Sequence, residues 1–410
     1  MALIVQKYGG TSVADIDKIR NVAARVAEEY DRGHNLVVVL SAMAGVTDSI
    51  LKLAKQVTDL TESRELDVLL STGEQTTVAL LAMTLTDMGY PAMSMLGYQA
   101  NIRTNNAFGK ARILAIHADR MKNLIQKRKI VVLAGFQGWN GDGDITTLGR
   151  GGSDTSAVAI AAALKADVCE IFTDVKGIYT ADPNICSKAQ KLNKISYDEM
   201  LEMSSLGAKV LQIRSVEFAK KYTVPVHVRS SFCKEEGTLV VHEDSDMERL
   251  VVSGITCNKN EARITLKKVP DQPGIAVKLF TPIAEAGILV DMIIQNTRSG
   301  GQTDMTFTVP LSDFDRARVI SEQVAENVGA EEILTAKNIA KISVTGVGMK
   351  SHSGVAAKMF AALAAENINI RLISTSEIRI SCVIKEQYAE LAVRVLHTAF
   401  GLDVENNTDN

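Results

Sequence analysis

Asn35-Leu36-Val37-Val38-Val39-Leu40-Ser41 places five aliphatic side chains in a row with no polar residue between them. A strand with one wet face alternates apolar and polar residues. An uninterrupted run of this length belongs to a strand covered on both faces. The same texture recurs in Leu3 to Lys7, which ends in a glycine loop, in Ile130-Val131-Val132-Leu133-Ala134-Gly135-Phe136, in Val168 to Thr173 and in Val224 to Arg229. Helical spacing fills two of the gaps. Ile16, Ile19, Val22, Ala23 and Val26 follow Asp15, a natural N-cap, and Thr155 to Lys165 is rich in alanine. Buried strands alternating with helices predict an α/β fold, an open, mostly parallel sheet sandwiched by helices. Ligands of such sheets bind beyond the carboxyl ends of the strands. That rule singles out the loops after Lys7, Ser41, Gly135 and Thr173, which are also rich in Gly, Ser, Thr and Asp.

Beyond a polar stretch, His242-Glu243-Asp244-Ser245-Asp246, the chain repeats itself. Gly274, Ala276, Lys278, Phe280 and Ile288 return as Gly354, Ala356, Lys358, Phe360 and Ile368 in one register. Each copy reads strand, glycine turn, helix, strand, strand, helix, which predicts a ferredoxin-like βαββαβ unit. The expected division is a first domain over 1–245, one repeat module over 264–338, and a second built from 250–263 and 339–410.

Composition narrows the function classes. The 410 residues are 46% hydrophobic and 23% charged, as in a globular chain with a real core. A net charge of −3 gives no footprint for nucleic acid or anionic membrane. Met1-Ala2-Leu3-Ile4-Val5-Gln6-Lys7 has no secretory pattern, and no apolar run reaches the ~20 residues of a membrane span. Cys169, Cys186, Cys233, Cys257 and Cys382 are scattered, without a CxxC pair, as expected of reduced thiols in a cytoplasmic protein without a zinc site.

Four loops carry possible chemistry. Lys7-Tyr8-Gly9-Gly10-Thr11-Ser12 offers two glycines whose N–H groups can approach a phosphate and a lysine charge beside them; an ordinary strand-to-helix turn would look the same. Thr147-Leu148-Gly149-Arg150-Gly151-Gly152-Ser153-Asp154-Thr155-Ser156 sets an arginine among glycines just before a helix, a suitable clamp for an anion. Ser41-Ala42-Met43-Ala44-Gly45-Val46-Thr47-Asp48 supplies small residues and hydroxyls, or merely a helix start at Thr47. Phe172-Thr173-Asp174-Val175-Lys176-Gly177-Ile178-Tyr179-Thr180-Ala181-Asp182-Pro183 is a hairpin-like loop that could hold a nucleoside. Glu74, in Ser71-Thr72-Gly73-Glu74-Gln75 at an expected helix bend, has no local argument for function. The sequence has neither G-x-x-x-x-G-K-[ST] nor a strand-linked G-x-G-x-x-G.

Taken in order, these motifs resemble those of the aspartokinase family, within the amino acid kinase superfamily, and the repeat resembles tandem ACT domains. The resemblance runs from about Ala2 to Leu402. It implies that Lys7 neutralises the transferring phosphoryl, that Gly9 and Gly10 cradle phosphate oxygens, and that Lys209, followed by Val210, is a second phosphate-facing lysine. Ser41 would contact ATP and Thr47 aspartate. Glu74 would take the substrate ammonium and Arg150 its α-carboxylate, with Gly151, Gly152, Ser153 and Asp154 lining the same site. Asp154 would orient the charged groups. Tyr8, Thr173, Asp174, Tyr179 and Asp182 correspond to nucleotide contacts.

The implied reaction is ATP- and Mg2+-dependent phosphorylation of L-aspartate, the first step towards lysine, threonine and methionine. An aspartate side chain, with a pKa near ~3.9, is already ionised and needs no general base. The resemblance also implies inhibition by lysine, threonine or both. The implied effector contacts are Asp271, Gly274, Ile275, Ala276, Gln295 and Asn296 in the first copy and Ser353, Val355, Asn369 and Ile370 in the second. Relatives lace the strand near Val251 to Thr256 into the second module. They form dimers through ACT domains, or assemble with a shorter regulatory chain such as an internal start at Met247 would produce. Two alternatives stay open at this level: a kinase for glutamate, acetylglutamate or a nucleotide, and a catalytically silent amino-acid sensor.

Overall fold

The computed structural model of the chain describes residues 1–58, 63–205, 210–243 and 251–404. Contacts divide it into two compact units, Met1–Tyr179 with Lys191–Arg249, and Thr180–Gln190 with Leu250–Asn410. A boundary at residue 245 would leave Thr180–Gln190 in the first unit, whereas the structure puts it in the second. The reason is local. The Thr180 carbonyl accepts from Ile255 N at 2.7 Å, its hydroxyl bonds His397 Nε2 at 2.8 Å, and Ala181 and Cys186 join the core beneath.

The first unit is built on an eight-stranded sheet. Its spatial order is Lys194–Ser196, Thr238–Val241, Val226–Ser230, Val168–Thr173, Leu3–Tyr8, Asn35–Leu40, Ile130–Ala134, Ala92–Met95. All neighbours are parallel except Val226–Ser230 and Thr238–Val241, which run antiparallel. The continuous apolar runs are explained by two cores. Val5, Val37, Val39, Val131 and Leu133 point to one face, under the helix Gly152–Leu164. Ile4, Leu36, Val38, Leu40 and Val132 point to the other, under the helices Ile16–Asp31 and Arg64–Asp87. Period-two alternation therefore persists, but both sets are buried. Asp15 caps its helix by accepting from Lys18 N at 2.8 Å.

By length and composition the helix Arg64–Asp87 could cross a bilayer, which corrects the expectation that no stretch is large enough. Half of its most apolar stretch is buried, and Val78, Leu81 and Leu85 lie in the core. It runs unbroken through Gly73, where a bend was expected. There a Cβ would stand 2.8 Å from the Ala42 Cβ, so close helix-to-loop packing accounts for the glycine. A small second sheet, Ile113–Ile116, Ile102–Thr104, Gln137–Trp139, Ile145–Thr147, completes the unit.

The second unit contains two four-stranded antiparallel sheets. The first module is Glu261–Pro270, helix Ile275–Glu285, Ile293–Arg298, Gln302–Pro310, helix Phe314–Val328, Glu332–Ala336, a full βαββαβ unit with sheet order two-three-one-four. The second runs Ile339–Thr345, helix Val355–Ala365, Leu372–Ser376, Arg379–Lys385, helix Ala389–Ala399. Its fourth strand is Gly254–Asn258, from upstream, paired antiparallel to Ile339–Thr345. The repeat is geometric as well as sequential. Gly274 and Gly354 precede their helices at φ 92° and 93°, a left-handed conformation that favours glycine. Ile275, Leu279, Ile283 and Ile288 fill one core, and Val355, Met359, Leu363 and Ile368, eighty residues on, fill the other.

Candidate functional site

Val5 and Lys7 share a face of the strand Leu3–Tyr8, the face under the helix Gly152–Leu164. Asp154 lies in the first turn of that helix, and its Oδ1 is 2.6 Å from Lys7 Nζ. Both side chains are nearly buried, 11% and 13% exposed, so the ammonium is held in a fixed direction by a partner it cannot readily exchange for water. A Cβ on Gly9 would stand 3.4 Å from Lys7 Nζ, which puts the lysine head over the glycine turn. A Cβ on Gly10 would meet the Ala42 carbonyl oxygen at 2.8 Å. One on Gly135 would meet Ser153 Oγ at 2.9 Å and the Leu40 carbonyl oxygen at 3.0 Å. The tips of three neighbouring strands and one helix N-terminus thus converge. Ser41, half-buried at the same end, donates its N–H to the Tyr8 carbonyl at 3.2 Å. Thr47 is half-buried in the first turn of the helix Val46–Lys55, which follows Gly45 at φ 79°.

The Arg150 loop is braced from two sides. Gly151 sits at φ 69°, and a Cβ there would fall 2.0 Å from Gln212 Cγ, so a side chain would be strained and would have to displace Gln212. Its conformation starts the helix at Gly152, three residues before the expected Thr155. Arg214 donates to the Leu148 carbonyl at 2.7 Å and to that of Ala111 at 3.0 Å. On the other side Asp67, fully buried, accepts from Thr147 N and Thr147 Oγ1, each at 2.7 Å, and from Gly109 N at 3.0 Å. Burial raises the Asp67 pKa above the usual carboxylate value, opposed by those hydrogen bonds. Asp67 and Arg214 carry no sequence signature; only their burial and partners reveal them. Arg150 itself is exposed and, among the described residues, has no acidic partner.

Glu74 lies two turns beyond Asp67 on the same face of the helix Arg64–Asp87. It is 4% exposed; Oε1 accepts from Ala42 N at 3.0 Å and Oε2 has no partner. Burial pushes its pKa up to about 7. A buried carboxylate with one oxygen engaged and the other unmet is a receptor for a donor, preferably a cation.

The remaining positions sort by access. Tyr8 is wholly buried, stacked on Phe172 with ring centroids 4.6 Å apart, and its hydroxyl donates to Gln6 Oε1 at 3.3 Å. Its side chain is core, which leaves only its backbone for a ligand and corrects a reading of the whole residue as a contact. Thr173 Oγ1 donates to Asp174 Oδ1 at 3.0 Å at the exposed end of its strand. Tyr179 is half-buried and bridges to Lys191, while Val210 packs partly into the core. Asp182 belongs to the second unit, where its exposed carboxylate caps a turn by accepting from Asn184 N at 2.9 Å. Lys209 and Met247 lie outside the described residues. In the second unit Asp271, Gly274, Ala276, Gln295, Asn296, Ser353 and Asn369 are exposed, and Ile370 is half-buried. Ile275 and Val355 are core residues and offer a ligand only their backbones.

The model of the amino acid kinase family matches residues 2–230, and ACT domain models match 263–327 and 342–400. The chain is 55% identical to an aspartate kinase of Stutzerimonas stutzeri over 404 residues, 98% of each chain. It is 54% identical to an aspartokinase of Pseudomonas aeruginosa over 405 residues, again 98% of each. Among solved structures, E. coli aspartokinase III in complex with aspartate and ADP superposes with a TM-score of 0.80 at 27% identity, covering 97% of this chain and 99% of that one. An amino acid kinase domain followed by two ACT domains, matched end to end by relatives at 54–55% identity, places the chain in the aspartate kinase family.

Proposed function

We propose that this chain transfers the γ-phosphoryl group of ATP to the side-chain carboxylate of L-aspartate, giving 4-phospho-L-aspartate as the first step towards lysine, threonine and methionine. The observation that carries the reading is the Lys7 ammonium held over the Gly9 turn by Asp154. The acceptor is an anion at neutral pH, so the barrier is alignment and the repulsion between two anions. Lys7 and the Gly10 N–H answer the charge on the phosphoryl group, with Lys209 as a second cation, while Gly9, whose N–H donates to the Phe172 carbonyl at 3.4 Å, keeps the turn free of a side chain. Glu74 Oε2 receives the substrate ammonium and Arg150 its α-carboxylate, with Thr47, Gly151, Gly152 and Ser153 around them. Ser41, Thr173, Asp174, Tyr179 and Val210 flank the nucleotide.

Magnesium on the ATP phosphates would neutralise part of their charge. A cation of this kind needs one or two carboxylates besides phosphate, for which Asp154 and Asp174 are at hand. The ion proposed here is one carried by the nucleotide phosphates. All five cysteines are free, which suits a reducing cytoplasm.

Lysine, threonine or both inhibit, by binding at the exposed helix starts of the ACT pair and favouring an inactive arrangement. E. coli aspartokinase III has also been solved with lysine and aspartate, at a TM-score of 0.76 and 27% identity, which supports this transfer. The test is an ADP-release assay with L-aspartate, L-glutamate and N-acetyl-L-glutamate, each with and without lysine and threonine. Turnover with aspartate, lowered by at least one amino acid and insensitive in Asn296→Ala or Asn369→Ala, is the expected result. Faster turnover of another acceptor, or none of any, defeats the proposal.

A further inference from the structure

The second unit holds a cleft of about 1100 Å3 between its two sheets' modules. One wall is the end of the strand Glu332–Ala336 and the residues that follow; the other comprises Arg371, Lys385 and part of the helix Ala389–Ala399. Five cationic side chains line it against two acidic ones, Glu386 and Glu390. Three of the five have acidic neighbours. Lys259 and Arg394 share Glu390, at 3.1 and 4.0 Å, and Lys337 reaches Asp315 at 3.2 Å. Arg371 and Lys385 have none among the described residues.

Arg263 stands behind the wall without lining the cleft. It is the cross-strand partner of Ala336 in the wall, is half-buried, and its Nε has no hydrogen-bond partner. Burial and then the neighbouring Arg371 charge hold its pKa below the ordinary guanidinium value. Two guanidinium groups near enough to repel form a costly arrangement, and an anion on Arg371 would offset that repulsion.

We propose that this cleft binds a small, multiply charged anion of the phosphate-ester or pyrophosphate class, with Arg371 and Lys385 as its ligands and the Arg263 charge behind its wall adding to the positive potential. The charge count selects the class. A phosphate group brings nearly two negative charges and three acceptor oxygens, and guanidinium forks match its edges. An amino acid brings one carboxylate and an ammonium, and the excess of five cationic over two acidic lining groups disfavours the ammonium. The site is therefore separate from the helix starts at Gly274 and Gly354 and does not depend on which acceptor the kinase phosphorylates.

The test titrates pyrophosphate into the full-length protein by calorimetry at constant ionic strength. Wild type should take up one more saturable equivalent than Arg371→Ala/Lys385→Ala. Each single variant should weaken that site at least ~10-fold, with unchanged basal phosphoryl transfer. Without pyrophosphate, Arg371→Ala should melt no lower than wild type, because it removes a repulsion. Identical isotherms for wild type and double variant, uptake that does not saturate, or a lower melting point for Arg371→Ala overturns the proposal. So does an altered oligomeric mass of the double variant with unaltered pyrophosphate binding, which would assign the cleft to an interface between copies.

Discussion

Lys7 Nζ lies 2.6 Å from Asp154 Oδ1, across the gap between the end of a central strand and the first turn of the helix that covers it. The pair ties the strand tip to the Arg150 loop and points the ammonium over Gly9. Breaking a nearly buried pair from one side leaves the other charge uncompensated, at a cost of ~3 kcal/mol or more. Asp154→Ala should therefore lower both unfolding free energy and kcat. Lys7→Ala/Asp154→Ala should be less destabilised than the two single losses added together. Denaturant melts of all four proteins check this, and simple additivity would show the pair to be energetically idle.

Glu74 gives a pH signature. Its folded pKa is raised from 4.5 to about 7 by burial, so between those values the native state holds a proton that the unfolded state has lost. Its contribution to stability is present below pH ~4.5 and fades as pH rises through ~7, by ~3 kcal/mol in the ligand-free protein. Glu74→Gln should flatten that slope. Aspartate binding should show the opposite trend, its KM rising as pH falls below ~7, because a protonated Glu74 no longer attracts an ammonium. A KM independent of pH from 6 to 8 would remove Glu74 from substrate recognition.

Asp67 acts at one remove. By binding Thr147 and Gly109 it fixes the segment from which Arg150 projects. Arg150→Ala should raise the aspartate KM at least ~10-fold, as loss of a charged hydrogen-bond partner does. Asp67→Asn should raise KM in the same direction with a smaller change in kcat, and the double variant should be no worse than Arg150→Ala. Full additivity in KM would mean that Asp67 only supports the fold.

The long buried strands and the repeat were legible because each is written many times over. Val37, Val38 and Val39 declare a two-faced core by themselves, and the five matched positions from Gly274 to Ile288 recur intact eighty residues later. The short strands Ile102–Thr104, Gln137–Trp139 and Ile145–Thr147 were not legible, since three residues carry no period. The glycine loops drew attention to the end of the sheet where Lys7, Asp154 and Glu74 gather against the Gly9 turn and Ala42. Which side chains face it needed coordinates: Tyr8 turns into the core, whereas Asp67, an unremarkable helical acid in the sequence, turns out to hold a loop eighty residues away. The segment Thr180–Gln190 parts from the sheet that its neighbours belong to through hydrogen bonds with Ile255 and His397, residues too distant in sequence for any local pattern to connect.

The most direct test is steady-state phosphoryl transfer by Lys7→Ala at saturating ATP and aspartate, alongside its melting temperature. If the ammonium over the Gly9 turn offsets the charge of the transferring group, kcat falls at least ~100-fold, as for loss of one oxyanion donor, while the aspartate KM changes little. A folded Lys7→Ala enzyme turning over within a few-fold of wild type would contradict the account.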